Sequence, residues 1–569
     1  MCGIAGIVGR NATEVLIDKM LLRQKHRGPD FTGKHIENDV VLGHNRLSII
    51  DLSAQGNQPF YSKDKRYVLV YNGEIYNYQE LKESLKVNFD FKTASDTEVL
   101  LAAYLKWGKA CLSKLNGMFS FAIWDSKKEE LFAARDRFGV KPFYYAWKDD
   151  SFYFASEIKT LFAAGIPKKT NDSVWASYFA FGSYGMPNET FWEEIEQLPG
   201  GHFLSYKNGQ VAVEKWYFFE DEVRKHQKAL SFDEVKKTYQ ELLEDSIKLR
   251  FRADVPVGFN VSGGLDSSTL LALVNRNEKG EKINAYTFYT GDPNYDELPW
   301  VEELLENTEN PLSKVLLKTS EVKDLSIRMS DFQDEPFGGI PTIAYGKIFL
   351  QAREDNVIVL LDGQGMDEQW AGYDYYVRKN DSLIQGVQKS PFRKSVLKNA
   401  FLNKAVKPVY PKPFEDDVLN LQYRDLFYTK IPRTLRFNDR ISMAESTELR
   451  EPFLDYRLVE FAFAQPLDYK IKDGIQKYLL RSLVSELLSD TIRYAPKRPL
   501  QTPQREWLAS DLRPWVEKEI KAISAHKWFD KEGLEKELNA YFAGDQDSSF
   551  HIWQWLNTSL LLKHNYAHS

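Results

Sequence analysis

The chain has 569 residues, a net charge of −6, 43% hydrophobic and 27% charged residues; it is too long for one ordinary core, so two domains are expected. Its acidic balance excludes a dedicated nucleic-acid binder and a polybasic membrane contact. Its two cysteines, Cys2 and Cys111, exclude a disulfide framework and a thiolate zinc site, and with no charged-then-apolar leader and no apolar run near the ~20 residues of a span, a soluble cytoplasmic protein is expected.

The start reads Met1-Cys2-Gly3-Ile4-Ala5-Gly6. Loss of the initiator methionine leaves Cys2 with its thiol and an α-amine on one residue. The amine, with an ordinary pKa of about 7.7–8.0, is partly neutral at working pH and can take the thiol proton, which makes nucleophile and base one residue. A small hydrophobe opening a buried strand is the alternative reading of Cys2. Runs rich in aromatic and β-branched residues predict strands at 2–8, 67–71, 119–124, 130–134, 143–147 and 152–155. Two helices interrupt them. Asn77 is expected to cap one, and Asp96 the next, whose Leu100, Ala103, Tyr104 and Trp107 share a face. Cys111 falls in a helical pattern and reads as structural. Sheets with helices packed outside follow from this alternation.

Three polar clusters sit among these strands. His26-Arg27-Gly28-Pro29-Asp30 has the composition of a turn. His44 to Asp51 joins the Arg46 guanidinium to a short apolar strand. Tyr71-Asn72-Gly73-Glu74-Ile75-Tyr76-Asn77 follows a strong strand. Asn72-Gly73 suits a hairpin turn. It equally suits an oxyanion hole, where a side-chain amide and the next backbone N–H face a developing negative charge.

Together, CGIAG at Cys2, HRGPD at 26–30, HNRLSIID at 44–51, YNGEIYN at 71–77 and SDTE at 95–98 resemble the class II glutamine amidotransferase domain, an N-terminal-nucleophile glutaminase. The resemblance covers residues 2–215 and implies an αββα sandwich. It implies that Cys2 attacks the glutamine side-chain amide and that Asn72 and Gly73 stabilise the tetrahedral intermediate. Arg46 would hold the α-carboxylate, Glu74 and Asp96 the α-amino group, and Ile49 and Ile50 would offer backbone contacts. A zwitterion needs one cation and nearby anions, and guanidinium grips carboxylate in two-pronged fashion.

After residue 222 charged amphipathic helices dominate, beginning with 232–250. An apolar strand at 255–261 runs through Ser262-Gly263-Gly264-Leu265-Asp266-Ser267-Ser268 into a helix carrying Leu270, Leu271, Leu273 and Val274. Two glycines permit unusual backbone angles, successive N–H groups form an anion nest at a helix start, and the serines add hydroxyls. A capped strand–helix turn is the plain alternative. A second strand–loop, 357–373, gathers Asp362, Gly363, Gln364, Asp367 and Glu368. Ligands of an α/β sheet sit beyond the carboxyl ends of its strands, so both loops are expected to face one crevice. Asp266 and Asp367 are the candidate Mg²⁺ ligands, since that ion uses one or two carboxylates plus phosphate oxygens; a solvated acidic loop is the alternative.

The SGGLDSS string matches the pyrophosphate-binding loop of the ATP pyrophosphatase family, and is unlike the GxxxxGK[ST] phosphate loop. With 436–455 and 477–503, otherwise ordinary amphipathic stretches, both loops resemble the synthetase domain of glutamine-hydrolysing asparagine synthetases, here at 225–569. The fold class implied is two-domain α/β, an αββα sandwich followed by a parallel-sheet domain. The resemblance implies ATP binding by Ser262, Gly263, Gly264, Asp266, Ser267, Ser268, Asp362, Gly363 and Gln364. It puts the pyrophosphate-side lysine on Lys497, and lines the crevice with Asp439, Arg440, Glu448 and Arg450.

Two departures stand out. Familiar members carry an acid where Gln364 stands, and an arginine where Ala495 precedes Pro496-Lys497. Gln364 cannot exchange a proton at neutral pH, so Glu448 or Glu368 is expected to handle any proton. The implied activity is glutamine-dependent, ATP-driven amidation of a carboxylate, with L-aspartate as first acceptor and AMP, pyrophosphate and glutamate as products. Another acceptor (a sugar acid, peptide or antibiotic precursor), a β-lactam-forming cyclase and a non-catalytic ATP or glutamine sensor stay open. A homodimer is compatible with the sequence.

Overall fold

The computed structural model describes residues 2–277, 283–306, 308–378, 390–495, 501–545 and 548–566. The first half is two six-stranded antiparallel sheets lying face to face. In one, the order is Ile195–Gln197, Tyr144–Lys148, Ser151–Ala155, Gly3–Val8, Val40–Arg46, Phe31–Glu37. In the other it is Gln210–Lys215, His202–Lys207, Glu130–Arg135, Gly117–Asp125, Tyr67–Ile75, Phe60–Tyr61. Ile4, Val8, Val40 and Leu42 of the first sheet meet Val68, Val70, Ala122 and Leu204 of the second. Alternate residues of the same strands point outward, where Ile7 and Val41 pack on the helix Glu14–Arg23 and Leu69 and Tyr71 pack beside Val99 and Ala103 of the helix Asp96–Trp107. This is an αββα sandwich, as the strand and helix pattern requires.

The second half is built on a five-stranded, all-parallel sheet, ordered Leu312–Leu316, Ala285–Tyr289, Val257–Asn260, Val359–Leu361, Glu448–Arg450. The chain builds outward from the central strand in one direction, then returns to its other side. The connections from Val257–Asn260 and Val359–Leu361 therefore leave in opposite directions and open a crevice at their carboxyl ends. Helices cover both faces, and Phe259, Val359 and Leu361 pack with Leu270, Leu271, Leu273 and Val274.

The helix Phe232–Arg250 begins where its sequence places it, because Ser231 and Glu234 form a reciprocal capping box. Three local expectations are corrected. Asn77 makes no cap bond; its side chain is taken by Lys114 O and Asn116 N at 2.9 Å each. Ser95, not Asp96, caps the following helix. Asn72-Gly73 is no hairpin turn, since the strand Tyr67–Ile75 runs through it and pairs Asn72 with Ser120 and Gly73 with Phe119. No helix of the described residues is long and apolar enough to cross a membrane.

Candidate functional site

Cys2 lies just ahead of the strand Gly3–Val8, buried at 8% exposure. Its backbone N donates to Asn72 Oδ1 (3.0 Å) and its Sγ lies 3.9 Å from the Leu47 carbonyl. Burial pushes the thiol pKa up, so at rest the sulfur keeps its proton and needs a base. The bond to Oδ1 fixes the flip of the Asn72 amide and aims Nδ2 elsewhere; that Nδ2 is buried with no partner. A wasted donor of this kind is costly unless something fills the space before it. Gly73 (φ +156°) has no room for a side chain, since a Cβ would stand 2.1 Å from the Met118 carbonyl. Both candidate oxyanion-hole donors thus depend on one strand pressed against its neighbour.

Arg46 is held flat by the loop that follows it. It donates to Ser53 O (2.7 Å), Asn57 Oδ1 (2.8 Å), Ile50 O (3.4 Å) and Asp51 O, and Nε takes no part. The Ile49 carbonyl accepts from Asp254 N at 2.8 Å. Asp96 Oδ2 accepts from Tyr71 Oη (2.8 Å) and Ile75 N (2.9 Å). Glu74 keeps Oε2 unpartnered. Burial lifts the Asp96 carboxyl to about 6, and burial with the nearby Glu448 and Asp96 charges lifts Glu74 well above the usual range. Arg450 binds Glu448 at 2.6 Å and stands 3.8 Å from Glu74, and the Lys141 charge also acts on Glu448, whose carboxyl is held below its ordinary value.

The second centre lies at the crevice of the parallel sheet. Gly263 takes φ +69°, with a Cβ position only 2.8 Å from Trp300 Cβ, so only glycine fits without strain. Ser267 Oγ accepts from Ser262 N (3.2 Å) and closes the turn; Ser268 Oγ is buried and unpartnered. The Cβ position of Gly363 is 3.3 Å from Ser267 N, which puts the two loops side by side. Asp362 accepts from Tyr345 Oη (2.6 Å), and Gln364 Nε2 stands 3.5 Å from it. Asp266 and Asp367 converge as expected, but on a lysine. Lys477 Nζ binds Asp266 Oδ1 and Oδ2 at 2.6 and 2.7 Å and Asp367 Oδ1 at 2.5 Å. Burial works to lower this ammonium, and the two carboxylates outweigh it and hold it above its ordinary value.

Lys477 escaped the sequence reading. Its one signal was a cation at the start of the helix Tyr478–Leu483, the end where a positive charge is disfavoured. Lys497 lies outside the described residues. Glu368 accepts from Tyr373 Oη at 2.7 Å. Asp439 and Arg440 turn to the first half rather than the crevice. Arg27, fully buried, grips Asp439 with two bonds (2.8 and 3.0 Å), binds Glu157 (2.9 Å) and donates from Nε to the Cys2 carbonyl (3.0 Å); Arg440 donates to Ser156 O at 3.0 Å. Arg450 also donates to the carbonyls of Arg250 (2.6 Å) and Arg252 (2.9 Å).

With this geometry stands the likeness to known proteins. Residues 1–217 match the family described as glutamine amidotransferase domain, and residues 238–564 match asparagine synthase. The chain belongs to the glutamine-hydrolysing asparagine synthetase family. Asparagine synthetase [glutamine-hydrolyzing] 3 of Bacillus subtilis is 30% identical over 97% of this chain and 95% of its own length. Putative asparagine synthetase [glutamine-hydrolyzing] 2 of Methanocaldococcus jannaschii is 36% identical over 74% of this chain and 88% of its own. Membership makes the chain a ligase of the glutamine-dependent amidating type.

Proposed function

We propose that the chain moves the amide nitrogen of glutamine onto L-aspartate at the expense of ATP, giving L-asparagine, glutamate, AMP and pyrophosphate, with units at 2–215 and 225–569 performing the two half-reactions. One observation carries this reading. Leu47, Ile49, Ile50, Tyr76 and Met118, neighbours of the Cys2 pocket, share a single apolar cluster with Val261, Leu270 and Met366, which flank the nucleotide loops. Ammonium has no lone pair to attack with, so nitrogen must cross unprotonated, and an apolar contact between centres favours that form.

At the first centre Cys2 Sγ attacks the amide carbon while the α-amine takes the thiol proton. The oxyanion accepts from Asn72 Nδ2 and the Gly73 N–H. Arg46 Nε–H and the carboxyl cluster of Glu74 and Asp96 position the two ends of glutamine, with Ile49 and Ile50 at the pocket wall. At the second, the backbone of Ser262 to Ser268 and of Asp362, Gly363 and Gln364 cradles ATP phosphates, and Lys477 and Lys497 meet the charge of departing pyrophosphate. Asp266 and Asp367 already converge on one cation, so they fit Mg²⁺ arriving with nucleotide phosphates, where it would neutralise phosphate charge. Adenylation is required because a bare carboxylate resists nucleophiles.

Pyrophosphate release with ATP, glutamine and a panel of carboxylic acids tests this, aspartate first. Release specific to another acid would replace aspartate by that acid, and ADP as the nucleotide product would sink acyl-adenylation. The placement of Gln364 beside Asp362 keeps the second reading, a different carboxylate acceptor, in play. A large gain in aspartate turnover on Gln364→Glu would favour it.

A further inference from the structure

The nucleotide crevice is lined with acid. Asp266, Asp362 and Asp367 stand in its two loops, and Lys477 is already engaged with the first and the last. An incoming polyphosphate adds several negative charges to this set, and it is best received by a cation that no carboxylate has claimed. The fold brings one to the same wall. Leu480 and Leu483 of the helix Tyr478–Leu483, and Ile492 of the short helix Asp490–Arg493, share an apolar cluster with Leu270, Leu273 and Val274 of the helix Leu265–Asn277, which starts in the Ser262 to Ser268 loop. Arg481 lies one turn beyond Lys477, its backbone N–H donating to the Lys477 carbonyl at 2.9 Å.

The Arg481 guanidinium is only partly used. Nε donates to the Gln476 carbonyl at 2.8 Å, and the Tyr494 ring centre lies 5.8 Å from the guanidinium carbon. Nη1 is buried with no partner. Among the described residues no carboxylate pairs with Arg481, whereas its neighbour Arg493 is paired with Asp490 at 2.7 Å. Arg493 also donates from Nε to the Arg481 carbonyl at 3.1 Å, which ties the two turns together. Burial lowers the Arg481 pKa, and the Asp266 charge acts against that. Gln476 keeps a second idle donor, a buried Nε2 without a partner. Two donors out of water, one of them cationic, are costly while they stay unmet, and an anion would meet both.

Resting on the function proposed above, we infer that Arg481 is a polyphosphate-binding residue of the crevice, its Nη1 donating to the oxygens that leave as pyrophosphate. No covalent bond forms or breaks at Arg481. A guanidinium suits the task because its planar donors match two phosphate oxygens at once, and an Nη1 already stripped of water pays nothing further to be desolvated. Lys477 then answers for the two aspartates and Arg481 for the phosphate.

The test titrates inorganic pyrophosphate, and AMP separately, into the unaltered chain, Arg481→Gln and Arg481→Lys, with magnesium present throughout. Arg481→Gln should bind pyrophosphate about tenfold or more weakly, the worth of one charge-assisted hydrogen bond, and should bind AMP as the parent does. Arg481→Lys keeps the charge without the planar fork and should lose less. Glutamine hydrolysis in the absence of nucleotide should stay at the parent's rate in both variants, which shows that they fold. Parent-like pyrophosphate affinity in Arg481→Gln overturns the inference. So does equal weakening of pyrophosphate and AMP, which marks a merely structural side chain. An unaltered chain that binds no pyrophosphate overturns the proposed function and this inference with it.

Discussion

Asn72 is a single side chain with two ends in use. Oδ1 holds the Cys2 nitrogen and Nδ2 is buried without a partner, the donor that the proposed function assigns to the oxyanion. Asn72→Ala should therefore lower kcat for glutamine hydrolysis ~10²–10³-fold, the usual cost of one oxyanion donor, with KM little changed; steady-state glutamate release checks this. Cys2→Ala should abolish the glutamine-driven reaction and spare the ammonium-driven one, as measured by pyrophosphate release from each nitrogen source. Asp96 makes a pH prediction. Its carboxyl is raised to about 6, with burial the main cause, so it is protonated below that pH and charged above. On the proposed function, loss of the charge removes a partner of the α-ammonium, so kcat/KM for glutamine should fall as pH drops through about 6. Legibility at this scale followed the motifs. Cys2, Asn72 and the two aspartates of the loops could be named from their strings, whereas Lys477 could not, because its meaning comes from carboxylates 211 and 110 positions away that only the fold assembles.

Among elements, the strand–turn–helix at Gly263 has little room to give. With φ +69° and Trp300 Cβ at 2.8 Å from any added Cβ, Gly263→Ala must shift either the turn or the helix Leu298–Leu305 that carries Trp300. A tenfold or larger rise in the KM for ATP is expected, of the order that ~1–3 kcal/mol of backbone strain produces, with glutamine hydrolysis spared; the two assays run separately distinguish them. Ser231→Ala makes the contrasting prediction. It removes half of a solvent-exposed capping box, so stability should drop by about 1 kcal/mol in thermal unfolding while both activities stay as they were. Caps were legible when local chemistry decided them, as at Ser231. They were misread where tertiary partners outbid the cap, as when Tyr71 and the Ile75 N–H claim Asp96 and the 114–116 turn claims Asn77. The strand Glu448–Arg450 was hidden for another reason. Three fully buried residues carry no alternation to read.

At the scale of the molecule, the two halves are fastened by buried charge as well as by apolar contact. Arg27 holds Asp439 across the boundary and the Cys2 carbonyl within its own half, and Asp455 gathers Asn116 (2.9 Å) and Arg250 (3.1 Å) from either side. Removing one partner strands the other. Asp439→Ala should cost about 3–5 kcal/mol of stability, as broken buried pairs do, seen in calorimetry as an earlier transition, and should raise glutamate release relative to pyrophosphate. The two-part plan was legible because each half has its own periodicity and its own motifs. The order of the parallel strands was not, since it depends on which crossover packs on which face.

The resting grip of Lys477 on Asp266 and Asp367 has a consequence for order of arrival. Lys477 occupies oxygens of both carboxylates although its charge offsets only one of them, so a divalent ion coming alone would have to displace the lysine and would gain no phosphate in return. An incoming polyphosphate offers the lysine new oxygens and releases both aspartates at once. On the proposed function, titration with magnesium salt alone should thus give little heat, and the same titration with a non-hydrolysable ATP analogue present should saturate, metal and nucleotide then entering as one package.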